Sequence, residues 1–130
     1  MERTSLSAGL VVRDVLLGDA RVRAITRTVV PVFSPTEPLT LPYVVYRRTK
    51  LTVRSVAQRA TGAEGVEMEV CCYAASYSES VELAEAVRRA LDHRQATAEG
   101  LTMRSCTLAD SSEEEGGDAY AQVLVFDVRV

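Results

Sequence analysis

Residues 66–92, "VEMEVCCYAASYSESVELAEAVRRALD", change their hydrophobic period halfway, and that change decides the fold. In the first nine, Val66, Met68, Val70 and Cys72 alternate with Glu67, Glu69, Cys71 and Tyr73, the period-two pattern of a strand with one face toward a core. From Ser76 onward the period becomes helical: Leu83, Val87, Ala90 and Leu91 form a stripe flanked by Val81, Ala84 and Ala86. Ser76 reads as the N-cap, and Glu79 three residues later completes a capping box. Glu85 and Arg89, four apart in the favourable order, are expected to pair on the wet side.

The adjacent cysteines in this stretch raise the question of a metal or redox site. Consecutive strand residues point to opposite sides of the sheet, so Cys71 and Cys72 cannot clasp one ion or readily pair with each other. A zinc site needs about four ligands, and the remaining candidates, Cys106 and His93, each lack a second ligand nearby. No metal and no cofactor is expected, and Cys72 reads as a small apolar core residue. His93 follows a helix end, where an imidazole complements the dipole.

Toward the N-terminus, Leu6, Leu10, Val11, Val12, Val15, Leu16 and Leu17 recur at helical spacing up to Gly18. After a short turn, "ITRTVVPVF" (25–33) reads as a strand that Pro31 confines to an edge or an end, and "SPTEPLT" (34–40) as a loop. "LPYVVYRRTKLTVRS" (41–55) is a central strand, apolar on both faces at first and running out into a basic end. "VAQRATGAEG" (56–65) reads as a mobile hairpin connection. Beyond the second helix, Gly100 closes a connection. "LTMRSCTLAD" and "AYAQVLVFDVRV" then flank an acidic loop and pair as a hairpin, with Leu124, Phe126, Val128 and Val130 facing the core. The predicted fold class is α+β: a mainly antiparallel sheet of four to five strands with two helices on one face, in the order α-β-β-β-α-β-β.

At 130 residues, 47% hydrophobic and 25% charged, the chain is expected to form a single domain over 1–130. It shows no cationic leader and no membrane-length apolar run, which points to a soluble protein made in a cytoplasm. Three cysteines are expected to be free thiols. A net charge of -3 gives no general attraction to nucleic acid. The charge is unevenly placed. No acid lies between Glu37 and Glu64, where Arg47, Arg48, Lys50, Arg54 and Arg59 all fall, whereas Asp110, Glu113, Glu114, Glu115 and Asp118 follow one another without a base.

Catalytic patterns are wanting: no phosphate loop, no GxGxxG, no HExxH and no nucleophile elbow. Glu67 and Glu69 share a strand face, which suits a solvated or interfacial surface. The expectation is that the protein is not an enzyme. A small enzyme using Cys106 or Cys71, and a nucleic-acid module using the basic 47–59 segment, are the alternatives from other classes.

Taken together, "LLGDARVRAI", "VVPVFSP", "LPYVVYRR", the 66–92 stretch and the closing "AYAQVLVFDVRV" resemble the phage tail-terminator and tail-completion family, found in the head-to-tail module of long-tailed phages and prophages. The resemblance implies a structural virion protein that forms a homohexameric ring at the head-proximal end of the tail tube, stops tube polymerisation and joins the head connector. It implies as partners other copies of the chain, the major tail tube protein and the head connector or stopper. Genomic DNA would pass through the lumen without specific binding, no membrane is involved, and assembly takes place in the host cytoplasm. A head-completion or stopper protein of the same interface is the alternative. In a ring each subunit offers different surfaces to its two neighbours. The expected contact joins the basic residues Arg47, Arg48, Lys50, Arg54 and Arg59 to acidic groups of a neighbour or of the tube end, with Glu113, Glu114 and Glu115 leading.

Overall fold

The computed structural model describes residues 3–31, 38–56 and 59–130, with the backbone alone described at 54–56 and 59–63. A single 3-10 turn, Ser5–Ser7, leads into helix α1, Ala8–Gly18. Gly18 ends α1 as its position predicts, but the chain does not simply turn there. Asp19 accepts hydrogen bonds from the backbone N–H of Arg21 (2.9 Å) and Val22 (3.0 Å) and so caps a further helix, α2, Ala20–Ile25. An aspartate directly after a helix-ending glycine restarts the helix in a new direction, so three α-helices stand among the described residues where two were expected.

Strand β1 is Val29–Pro31, shorter than the 25–33 reading because Ile25 belongs to α2, and Val32 and Phe33 lie outside the described residues. Strands β2 (Tyr43–Val56) and β3 (Arg59–Ala74) form a long antiparallel hairpin. The segment read as a mobile connection is therefore mostly strand, paired as far as Val56 with Arg59; Ala57 and Gln58 lie outside the described residues. Helix α3, Tyr77–Leu91, begins where the period change puts it. The Ser76 hydroxyl accepts from the Glu79 backbone N–H (3.2 Å), which is half of the expected capping box. Glu85 and Arg89 do not form the expected ion pair; the i,i+4 pair observed on this helix is Arg88 with Asp92, at 3.6 Å.

The connection after α3 holds a small separate hairpin, β4 (Ala96–Ala98) with β5 (Leu101–Met103). Both of its turn residues, Glu99 and Gly100, have positive φ, the conformation that two-residue hairpins require. The final hairpin joins β6 (Ser105–Gly116) to β7 (Ala119–Arg129). The acidic run is thus not a loop: Glu113, Glu114 and Glu115 lie in β6, opposite Gln122, Ala121 and Tyr120.

The main sheet has the order β1-β2-β3-β7-β6, with β1 parallel to β2 and every other pair antiparallel. The α+β class and the predominantly antiparallel sheet agree with the sequence, and β1 occupies an edge as Pro31 demands. Helices and β4–β5 lie over one face. Its core joins Val11, Val12 and Leu16 of α1 and Leu83, Val87 and Leu91 of α3 to Val44, Met68, Val70, Cys72, Leu124, Phe126 and Val128 of the strands. Gly9 is needed in α1 because a Cβ there would stand 2.9 Å from the Tyr46 ring, so the helix could not settle as closely on β2. Phe126 is fully enclosed between the sheet and the helices. Truncating it (Phe126→Ala) is expected to cost about 3–5 kcal/mol, read as a lowered urea midpoint at unchanged slope. Ser76→Ala should cost only about 1 kcal/mol in the same measurement.

Candidate functional site

The face of the sheet opposite the helices carries the side chains of the other strand parity. Tyr43 stacks on Tyr73 (ring centroids 5.0 Å apart), and Tyr73 shares the face with Val45, Cys71, Val123 and Val125. Arg47, Glu69 and Glu114 rim the same area, which forms a shallow depression of about 470 Å³. Arg47 Nε donates to Glu69 Oε1 at 3.1 Å. An antiparallel sheet with one solvated face ordinarily alternates apolar with polar residues, whereas this one is apolar on both. The sequence signal is present in "YVVY" and "QVLVF", where consecutive residues are apolar.

Of the three register shifts in the main sheet, those at Thr49 and Ala109 set which face Lys50 and the acidic residues of β6 occupy; the third lies between Val53 and Ser55. The register of β2 against β3 shifts between Arg48 and Lys50, so Thr49 is an extra residue. Its hydroxyl donates to Glu67 Oε1 (2.8 Å), fixing the bulge in place. A second shift between Leu108 and Asp110 makes Ala109 the extra residue of β6. One extra residue reverses the parity of all that follows. Arg47 and Lys50 thereby share the open face with Asp110, Ser112 and Glu114. Arg48 lies on the helix side with Ser111, Glu113 and Glu115.

The predicted interface residues consequently divide. Arg47 already has Glu69 as partner. Glu113 accepts from Gln122 Nε2 at 2.8 Å, and its carboxyl is held below the usual range, first by a hydrogen bond from the Tyr77 hydroxyl and then by Gln122. Both are satisfied within the subunit. Among the described residues, no ion pair involves Arg48, Lys50, Glu114 or Glu115. The side chains of Arg54 and Arg59 lie outside the described residues. Within one chain the basic and acidic groups form no ion pair with each other among the described residues, because β2 and β6 are separated by β3 and β7; Arg47 and Glu114 only share the rim of the depression.

The thiols are poorly suited to nucleophilic work. Burial pushes the Cys71 thiol up to about 12, and the neighbouring Glu69 carboxylate, which accepts from Cys71 Sγ at 3.4 Å, pushes it further the same way. Cys106 is likewise pushed up to about 12 by burial, and Cys72 upward as well. A reactive cysteine needs the opposite shift. The His93 backbone N–H donates to the Cys106 carbonyl (2.6 Å), yet the imidazole is exposed while the thiol is enclosed. No group of three or more metal-ligating side chains occurs among the described residues, and no helix is long and apolar enough to cross a membrane.

The family model described as Tail completion protein gp17 matches residues 11–130. A chain in the solved virion of a native gene transfer agent (GTA) particle superposes with a TM-score of 0.80 at 20% identity, covering 98% of each chain, and so shares the fold. No curated protein sequence matches. The chain belongs to the tail completion protein family, whose role is structural, in the assembly of phage tails.

The raised thiols fix the sign of an alkaline effect. An unfolded cysteine ionises near pH 8.5, whereas Cys71 and Cys106 stay neutral in the fold up to about 12. The stability they contribute is complete below the unfolded value and declines as pH rises through this window. Urea unfolding between pH 8 and 11 should show that decline, and Cys106→Ala, though less stable at every pH, should flatten it. Iodoacetamide at pH 8 should label no cysteine until the chain is unfolded.

Proposed function

We propose that copies of this chain close into a ring, a hexamer as the family resemblance implies, on the head-proximal end of the tail tube. There the ring stops addition of tube subunits and presents the joint to the head connector. It acts by shape and surface and carries out no covalent chemistry. The subunit assembles in the host cytoplasm and ends in the virion, at the head-proximal end of the tail, with DNA passing through the ring unread.

The observation that supports this most directly is the placement of opposite charges on opposite flanks of one sheet: Arg48 and Lys50 on β2, Glu114 and Glu115 on β6. A subunit with two different, mutually complementary flanks associates head to tail, and such contacts close into rings when the rotation per subunit allows. The open face, apolar and half-buried around Tyr43 and Tyr73, would be solvated in an isolated subunit and gives the assembly further surface to cover.

Removing the gene from its phage or prophage should give tails of uncontrolled length that fail to join heads, scored by electron microscopy, and supplying the protein in trans should restore normal length. Tails of normal length in its absence would overturn the reading. Tails of normal length that stay unjoined would move the protein to the connector side of the joint.

A further inference from the structure

We infer that neighbouring copies join by continuing the main sheet, the outer edge of β6 in one copy pairing antiparallel with the outer edge of β2 in the next. The inference rests on the ring reading above and specifies its contact. Four observations carry it.

The first is the extent of unpaired edge. β1 covers β2 only from Val44 to Tyr46, and among the described residues nothing pairs with its outer side from Arg47 to Val53. On β6 the outer side is occupied near its start, where Leu108 N–H donates to Asp92 Oδ1 and the Cys106 carbonyl accepts from His93 N–H. From Asp110 to Gly116 that outer side has no strand partner among the described residues. Neither stretch contains proline, so both can complete a ladder.

The second is sequence quality. "DSSEEEG" (110–116) has weak strand propensity, yet it runs as strand with backbone pairing on one side only. The third is charge. Two β6 edges brought together would set carboxylates against carboxylates, and two β2 edges would set bases against bases. The unlike pair is the one that attracts.

The fourth is register. Alternation from the Val44 N–H, which donates toward β1, and from the Leu108 N–H, which points outward, leaves Leu51 and Val53 of β2 and Ser111, Glu113 and Glu115 of β6 with outward-pointing amides. Antiparallel pairing must match outward residues with outward residues and keep each face continuous. Setting Leu51 against Glu113 and Val53 against Ser111 does both. It also places Lys50 beside Glu114 on the open face and Arg48 beside Glu115 on the helix face. In this register the β1 of the incoming copy lies past the β6–β7 turn and does not obstruct, while the α3 end, where Asp92 holds Leu108, meets the last residues of the incoming β2, Ser55 and Val56, and so marks where the pairing stops. The implied offset is about six residue rises, roughly 20 Å, across four strands roughly 19 Å wide. That corresponds to a strand tilt of about 45°, at the upper end of the range for closed barrels.

The test uses the full chain at physiological salt. Native mass spectrometry first establishes assembly, and hydrogen exchange then compares assembled with diluted protein. Residues 48–53 and 111–115 should both slow by about 100-fold. Assembly with no slowing in either stretch would falsify the sheet continuation and leave the ring reading standing, whereas a chain that never associates, alone or on tail tubes, overturns both. Lys50→Glu and Glu114→Lys, each alone, should weaken association about fivefold per interface, with unchanged far-UV dichroism. Mixed one to one, the two variants should assemble again, because alternating copies then restore unlike charges at every junction. Failure of the mixture to assemble rejects the Lys50–Glu114 register.

Discussion

The structure depends on one constraint: the even-numbered side of β3 and β7 must be covered, and α3 is the element that covers it. Met68, Val70, Leu124, Phe126 and Val128 offer a continuous apolar surface, and Leu83, Val87 and Leu91 fill it from above. Burying each such side chain contributes roughly 1.5–3 kcal/mol, so the register between β3 and β7 is strongly determined. A one-residue slip would turn Met68 and Phe126 toward water and Glu67 and Glu69 toward the helix. The rest of the fold, including α1 held close to Tyr46 by Gly9, is built around that seam.

The second face follows from the first. Once the even side is fixed, Tyr43, Tyr73, Val45, Val123 and Val125 have only the other side to occupy. The bulges at Thr49 and Ala109 act on this arrangement as switches of parity. Were Thr49 an ordinary ladder residue and not an extra one, Lys50 would point toward the helices. Were Ala109 likewise an ordinary ladder residue, Glu114 would exchange sides with Glu113 and lose the open face, while Gln122 would lose its carboxylate partner. Two inserted residues thus decide which charges a neighbouring molecule can meet.

Buried polar groups are kept few and satisfied. Gln122 donates to Ser80 Oγ (3.3 Å) and to Glu113, and Ser80 in turn donates to the Tyr77 carbonyl (2.6 Å). This chain ties the start of α3 to the last hairpin, where an unsatisfied amide would cost about 1–3 kcal/mol. Glu113 is therefore a fixed part of the subunit, unlike Glu114 and Glu115 on either side of it.

The sequence by itself determined the α+β class, the β3–α3 junction at Ser76, the edge position of the Pro31 strand, the core parity of residues 66–72 and 124–128, and the separation of the two cysteines. These are set by local periodicity and capping, which act over a few residues. What it did not disclose was α2, the strand character of the acidic run, the β4–β5 hairpin and the division of the basic cluster between two faces. Asp19 can cap a helix or sit in a turn, and only packing of Val22 into the core selects the helix. "SSEEEG" becomes a strand because β7 supplies a partner along its length, an override of propensity by long-range hydrogen bonding. Which charges remain available for assembly was decided by tertiary structure, because it depends on bulges and on partners distant in the chain.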